Sequence, residues 1–202
     1  MKLSSQSPLI QMRWTSTRSQ WRREARASPL SALVAITSHY TPCIEFLFFT
    51  GCRPSEAAAL TWEKVGVETL RFDCAAVSGM PLTDIQEGTK TQRYREFPIN
   101  DQLKAVLGKV KASTQDPDAL VFSSPKGKGI DIHNFSCRAW TKILAALDLP
   151  HRKFYQTRHT FITLCLDAGI DAKDIAKWVG NSPEMIYRHY AGRNPNLDAP
   201  EL

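Results

Sequence analysis

The sequence predicts a mostly helical α+β domain with one small antiparallel sheet. Three observations carry that prediction. From about Pro29 onward, apolar residues recur at helical spacing through most of the chain. A single stretch between residues 69 and 99 shows strand-like alternation and aromatic residues instead. The 202 residues are 43% hydrophobic and 23% charged, which supplies one packed core and excludes wholesale disorder.

The elements follow in order. Leu30, Leu33, Val34 and Ile36 fall at helical spacing, and a second helical segment runs from near Pro42 through Phe49 and stops at Gly51. Its run CIEFLFFT (Cys43 to Thr50) is apolar on nearly all sides, as a central helix would be. Glu45 interrupts that run, which falls far short of the roughly 20 residues that span a bilayer. Pro54 suits a first helical turn, and Ser55 to Trp62 (SEAAALTW) continues as a short alanine-rich helix. Thr69 to Val77 and Arg93 to Ile99 predict two or three antiparallel strands, with Gly79, Pro81 and Gly88 punctuating the chain between them. Helices are predicted at Asn100–Val110, at Asp131–Leu147 after the loop Ser-Pro-Lys-Gly-Lys-Gly (124–129), at Tyr155–Ala168, at Asp171–Val179 and at Pro183–Tyr190. Asp171 with Asp174 marks one N-terminus, Gly180 the following stop, and Ser182–Pro183 the restart.

Charge divides the chain unevenly. The net charge is +6, yet residues 1–26 hold Lys2, Arg13, Arg18, Arg22, Arg23 and Arg26 against Glu24 alone, so five of those charges lie there. The body is nearly neutral, and bulk charge does not by itself argue for nucleic-acid binding. Local basic pairs stand out at Arg93 with Arg95, Lys126 with Lys128 and Arg152 with Lys153; each suits phosphate contact about as well as simple solvation. Residues 1–28, without clean periodicity, read as a basic flexible arm or linker remnant. No secretory layout opens the chain, and five cysteines without a CxxC pair point to a reducing, intracellular setting and away from disulfides or a metal site.

Three segments place a cation beside a structural break. In Thr50-Gly51-Cys52-Arg53-Pro54-Ser55-Glu56 a glycine ends one helix and Arg53 projects at the start of the next, where unpaired N–H groups and a guanidinium together suit an anion; a surface pair of Arg53 with Glu56 is the plainer reading. Gly88-Thr89-Lys90-Thr91-Gln92-Arg93 is a polar turn carrying Lys90, ordinarily just solvated. In Tyr155-Gln156-Thr157-Arg158-His159-Thr160-Phe161, Arg158 opens a helix whose other face is core, so its guanidinium is at least half-buried and demands an anionic partner, by default a structural carboxylate.

Together these segments resemble the catalytic domain of the tyrosine recombinases, the phage-type integrases. TGCRPSEAAALTW is similar to the family's first arginine box, GTKTQRYREFPI to its lysine-bearing β-hairpin, and YQTRHTF…WVGN…YRHYAG to its second arginine box through the nucleophile. The resemblance covers residues 29–192, the expected catalytic domain, and leaves 193–202 as a tail. It implies the fold of the DNA breaking-rejoining enzymes and a site-specific recombinase that works on double-stranded DNA without metal, ATP or other cofactor. Arg53 and Arg158 would then clamp the scissile phosphate, Lys90 would protonate the leaving 5′-hydroxyl, and Tyr190 would form a 3′-phosphotyrosyl link, with Tyr187 its nearest competitor.

The resemblance further implies a homo-tetramer on paired DNA sites, a monomer without DNA, and a cytoplasmic, nucleoid-associated protein of prokaryotic or phage origin. Full-length integrases add an N-terminal helical domain that closes around DNA, for which residues 1–28 are too short. Backbone contacts would fall to Arg93, Arg95, Lys126, Lys128, Arg152 and Lys153. Two positions depart from the family: Tyr155 stands where histidine is usual, and Asn181 where histidine or tryptophan is usual. Neither is a good base near neutrality. Base help then falls to water, Tyr155, His159 or His189, and slower cleavage is expected. A DNA-binding remnant without cleavage and a type IB topoisomerase are the alternatives.

Overall fold

The structure, a computed structural model, describes residues 30–76, 86–87, 94–111 and 116–190. The arm expected at 1–28, the tail expected at 193–202, Lys90 and Arg93 lie outside these residues. Helix α1 (Leu30–Thr50) is the axis of the domain. A boundary between two helices is expected at Pro42, but α1 runs through it. An interior proline costs about 3 kcal/mol in lost bonding and crowding. Ile44, Phe46 and Leu47, each no more than 1% exposed, offset that cost by burial just beyond it. Phe46 stacks obliquely on Phe122, with centroids 5.0 Å apart, and edge-on to Phe72 at 6.3 Å. The buried carboxylate of Glu45 accepts from Lys109 Nζ at 2.8 Å.

After α1 comes the short α2 (Pro54–Ala59), then a 3₁₀ turn at Trp62–Lys64. The single helix expected over Ser55–Trp62 breaks because Leu60 turns extended (ψ 123°) and its carbonyl accepts from Val121 N at 2.8 Å. The sheet region forms two antiparallel pairings. β1 (Thr69–Phe72) pairs with β4 (Arg95–Pro98), setting Leu70 opposite Phe97 and Phe72 opposite Arg95. β2 (Cys74–Ala75) pairs with β3 (Gln86–Glu87). Alternation in β1 sends Leu70 and Phe72 into the core and leaves Thr69 and Arg71 exposed.

Helix α3 (Asp101–Lys111) packs on α1. The helix expected over 131–147 is built in three pieces: α4 (Ile132–Asn134), a π-helical turn at Phe135–Trp140, and α5 (Thr141–Ala146). Helices α6 (Gln156–Asp167), α7 (Ala172–Val179) and α8 (Pro183–Tyr190) then pack in succession, α6 also against α1. The Asp171 carboxylate caps α7 through Lys173 N at 2.7 Å, Gly180 closes it at φ 69°, and Ser182 Oγ accepts from Met185 N at the start of α8. Among the described residues, no helix is long and apolar enough to cross a membrane.

The junction after α1 is the tightest point. Gly51 takes φ 60°, and a Cβ there would meet Phe161 Cδ1 at 2.4 Å and Cγ at 2.8 Å. Glycine alone fits both demands. Gly51→Ala is expected to lower stability by about 1–3 kcal/mol in urea unfolding, from overpacking and left-handed strain; unchanged stability would contradict this packing.

Candidate active site

The site begins where α1 ends. Gly51 turns the chain so that its carbonyl faces the start of α6, where Arg158 Nη1 donates to it at 2.9 Å. Two residues on, Arg53 occupies the N-cap of α2 in extended conformation (ψ 143°), with Pro54 setting the first turn. The Glu56 carboxylate reaches back to accept from Arg53 N at 2.7 Å and from Arg53 Nη1 at 2.9 Å. Arg53 Nη2 donates to the Gly180 carbonyl at 3.3 Å, bringing the end of α7 against α2.

Glu56 is buried, its side chain only 1% exposed, and it serves a second arginine. Arg95, from β4, forms a two-pronged pair with it, Nη1 at 2.7 Å and Nη2 at 2.5 Å. Nε of Arg95 donates to the Trp178 carbonyl at 2.8 Å, and its guanidinium lies over the Phe72 ring at 4.5 Å. Burial alone would raise the Glu56 carboxyl's pKa; Arg95 and then Arg53 overcome that and hold it below the ordinary carboxylate range. Burial also disfavours the charge on Arg53, yet Glu56 and the neighbouring Tyr155 outweigh it, and Arg53 titrates above its usual range.

Arg158 is different. It is 2% exposed, and among the described residues no carboxylate forms an ion pair with it. Among the described residues, Nη2 is buried without a hydrogen-bond partner. Burial, together with repulsion from Arg53 and Arg95, lowers its pKa against the pull of Tyr155 and Glu56. A guanidinium in that position is short of an anion.

The nucleophile candidate arrives from α8. Tyr190 is the last residue of that helix and is buried, and its hydroxyl is hydrogen-bonded to His159 Nδ1. His159 lies one residue beyond Arg158, and the Tyr155 ring meets it edge-on at 5.8 Å between centroids. Tyr187 is 51% exposed.

The structure therefore brings Arg53, Tyr155, Arg158 and Tyr190 together, with exposed Asn181 directly after the Gly180 carbonyl that Arg53 holds. Lys126, Lys128, Arg152 and Lys153 are exposed. The first two ride a turn closed by Ser124 N donating to the Lys128 carbonyl at 2.6 Å. The second two lead into α6, where the Arg152 carbonyl accepts from Trp140 Nε1 at 2.7 Å. Arg95 is a correction: expected on DNA, it is 11% exposed at the side chain and spends its donors on Glu56 and Trp178, because a buried carboxylate outcompetes solvent for the guanidinium.

Two residues outside the expected catalytic set belong here. In sequence Glu56 reads only as a surface partner of Arg53; its second arginine comes from 39 residues away, beyond any local signal. His159 stands there only among several possible bases. Its signal is the four-residue step from Tyr155, which stacks the two side chains on one helix face.

The model of the phage integrase family matches residues 26–196. The chain belongs to that family. A tyrosine recombinase XerC-like protein of Caldanaerobacter subterraneus is 34% identical over 77% of this chain, and tyrosine recombinase XerD of Vibrio vulnificus is 26% identical over 73%. The chain spans about half the length of these relatives, 47% and 48% respectively. Among solved structures, the Tn1549 transposon integrase in complex with circular intermediate DNA matches with a TM-score of 0.66 at 22% identity, covering 85% of this chain and 64% of that one. The catalytic domain of bacteriophage HP1 integrase matches with a TM-score of 0.55 at 20% identity, covering 81% and 83%. The helical fold with its small antiparallel sheet is thus that of integrase catalytic domains.

In this phage integrase family member the Arg53–Glu56–Arg95 cluster has a testable pH signature. The folded carboxyl of Glu56 titrates below its unfolded value of about 4.3, so its stabilisation is complete above that pH and lost as pH falls through the lower folded value. Glu56→Gln is expected to cost about 3–5 kcal/mol at pH 7, leaving two cations poorly paired. The gap from wild type should narrow below about pH 4, as read by urea unfolding at both pH values; a gap independent of pH would refute the ion-pair account.

Proposed function

We propose that this chain is the catalytic part of a site-specific DNA recombinase that breaks and rejoins strands through a 3′-phosphotyrosyl intermediate. The observation that carries the reading is the buried Arg158 guanidinium, with an unpartnered Nη2, one residue from the histidine that holds the Tyr190 hydroxyl. Such a cation suits a phosphodiester, whose non-bridging oxygens accept from two guanidinium groups at once. Arg158 and the part-exposed Arg53 clamp that phosphate. Tyr190 attacks phosphorus, Lys90 protonates the leaving 5′-oxygen, and Asn181 donates to a phosphate oxygen.

Cleavage and rejoining are chemically symmetric. The phosphotyrosyl ester keeps the free energy of the broken diester, so a free 5′-hydroxyl reseals the strand without ATP. The arginines neutralise charge that builds on phosphorus during both steps. The substrate is double-stranded DNA, gripped along its backbone by Arg93, Lys126, Lys128, Arg152 and Lys153. Support comes from the family's recombinases and from integrases solved on DNA. The chain acts in the cytoplasm at the nucleoid, monomeric alone and tetrameric on paired sites.

A nicked DNA substrate that releases the cleaved 5′ fragment traps the covalent step. Wild-type protein is expected to accumulate a covalent adduct on a denaturing gel, and Tyr190→Phe to form none. Absence of an adduct at any protein concentration, with DNA still bound, would replace this reading with a DNA-binding remnant.

Tyr155 touches Arg53 and His159 at the position where the family places histidine. Tyr155→His restores a titratable donor there and is expected to raise the rate of adduct formation by about 10-fold or more. An unchanged or lower rate would show that tyrosine suffices.

A further inference from the structure

The two positions at which the family supplies histidine or tryptophan are occupied here by Tyr155 and Asn181, and neither offers a good base near neutral pH. The structure supplies one elsewhere. The hydroxyl of Tyr190 is hydrogen-bonded to Nδ1 of His159, with the rings 5.7 Å apart between centroids and tilted by 35°. We infer that His159 is the general base of strand cleavage and the general acid of strand rejoining, acting directly on Tyr190. The inference rests on the recombinase reading above and adds a catalytic residue to it.

Geometry separates His159 from the other candidates. His189 precedes Tyr190 on α8, and consecutive helical residues point in different directions. Tyr155 meets the His159 ring edge-on and borders Arg53, whereas the Tyr190 hydroxyl is bonded to His159. An imidazole has an ordinary pKa near 6.5 and a free lone pair when neutral. His159 is exposed, so a proton it accepts can pass on to water.

In the forward step the Tyr190 oxygen forms its bond to phosphorus as its proton moves to Nδ1 of neutral His159. The bond from phosphorus to the 5′-oxygen breaks, and that oxygen takes a proton from Lys90. In the return step the 5′-oxygen attacks, giving its proton back to Lys90. The phosphotyrosyl bond breaks, and imidazolium returns its proton to the departing phenolate. The forward step starts from, and the return step regenerates, the tautomer of neutral His159 with hydrogen on Nε2 and none on Nδ1.

The groups around the pair are Tyr155 at the N-cap of α6, the adjacent Arg158, and Arg53 through Tyr155. From α8 come Arg188 and His189, both exposed. The other elements packed on α6 bring Glu45, tied to Lys109, from α1, and Asp174, tied to Lys177, from α7.

The test is single-turnover adduct formation on the nicked substrate by wild type, His159→Gln and Tyr190→Phe across pH 5–9. Glutamine can hold the hydroxyl but cannot carry the proton. His159→Gln is expected to cleave about 10²–10⁴-fold more slowly at pH 7 with unchanged DNA affinity. Its rate should lose the rise through the imidazole range and climb only at higher pH, toward the phenol's own ionisation. Equal rates and the same pH profile would overturn the inference while leaving the recombinase standing. No adduct even with wild type would overturn the recombinase reading, and this one with it. A readout independent of activity is ¹⁵N NMR of the imidazoles in the DNA-free chain at pH 8. His159 should show a bare Nδ1 and a protonated Nε2; a proton on Nδ1 would overturn the inference whatever the kinetics.

Discussion

One buried carboxylate sets the electrostatics of the whole centre. Arg53, Arg95 and Arg158 come close enough that the first and second lower the pKa of the third, and among the described residues Glu56 is the anion that stands among them. Without it, three guanidinium groups would repel one another in a poorly solvated place. With it, Arg95 is spent on structure, pinned to Glu56 and Trp178, and Arg53 is fixed at the head of α2. Three positive charges against one negative leave an excess of two. That excess suits the transition state of the proposed reaction: a phosphodiester brings one negative charge, and attack by phenolate brings a second.

The same centre shows why backbone geometry and chemistry cannot be separated here. Among the described residues no carboxylate forms an ion pair with Arg158, and its guanidinium is hydrogen-bonded to the Gly51 carbonyl. That carbonyl points correctly because residue 51 is left-handed, and residue 51 can be left-handed in so small a space because it lacks a Cβ against the Phe161 ring. Phe161 is one turn beyond Arg158 on α6. Helix stop, ring packing and guanidinium placement are therefore one constraint expressed three times.

Most of the helical frame was legible because its signals are local. Asp171, Gly180 and Ser182–Pro183 punctuate α7 and α8 through bonds that span at most a few residues. Pro42 misled for the converse reason: a local breaker was overridden by burial of Phe46 and Leu47 against distant residues. Arg95 misled in the same way, since Arg93 and Arg95 look like a solvent-facing pair in sequence. The register of β1 against β4 sets Arg95 opposite Phe72, and its guanidinium reaches the Phe72 ring and the Glu56 carboxylate. Arg53 was legible as a cation at a helix start, and its carboxylate partner too, but not the burial that makes the pair matter.

The two departures from the family pattern amount to one displacement. If the proton-accepting role leaves residue 155, the next position on the same face of α6 is residue 159, four residues and about one turn along. Tyr155 then acts as a bridge, since its ring braces His159 while its hydroxyl borders Arg53. It links the group bonded to the Tyr190 hydroxyl to the group that would hold the phosphate. A shift of one helical turn moves an imidazole by only about 6 Å along the axis, within reach of a hydroxyl at the tip of a tyrosine. Tyr190 closes α8, which packs on α6, so the proposed nucleophile and the proposed acceptor lie on two helices in contact. On the proposed mechanism, loss of the usual histidine need not mean loss of the reaction, since residue 159 is already bonded to the Tyr190 hydroxyl.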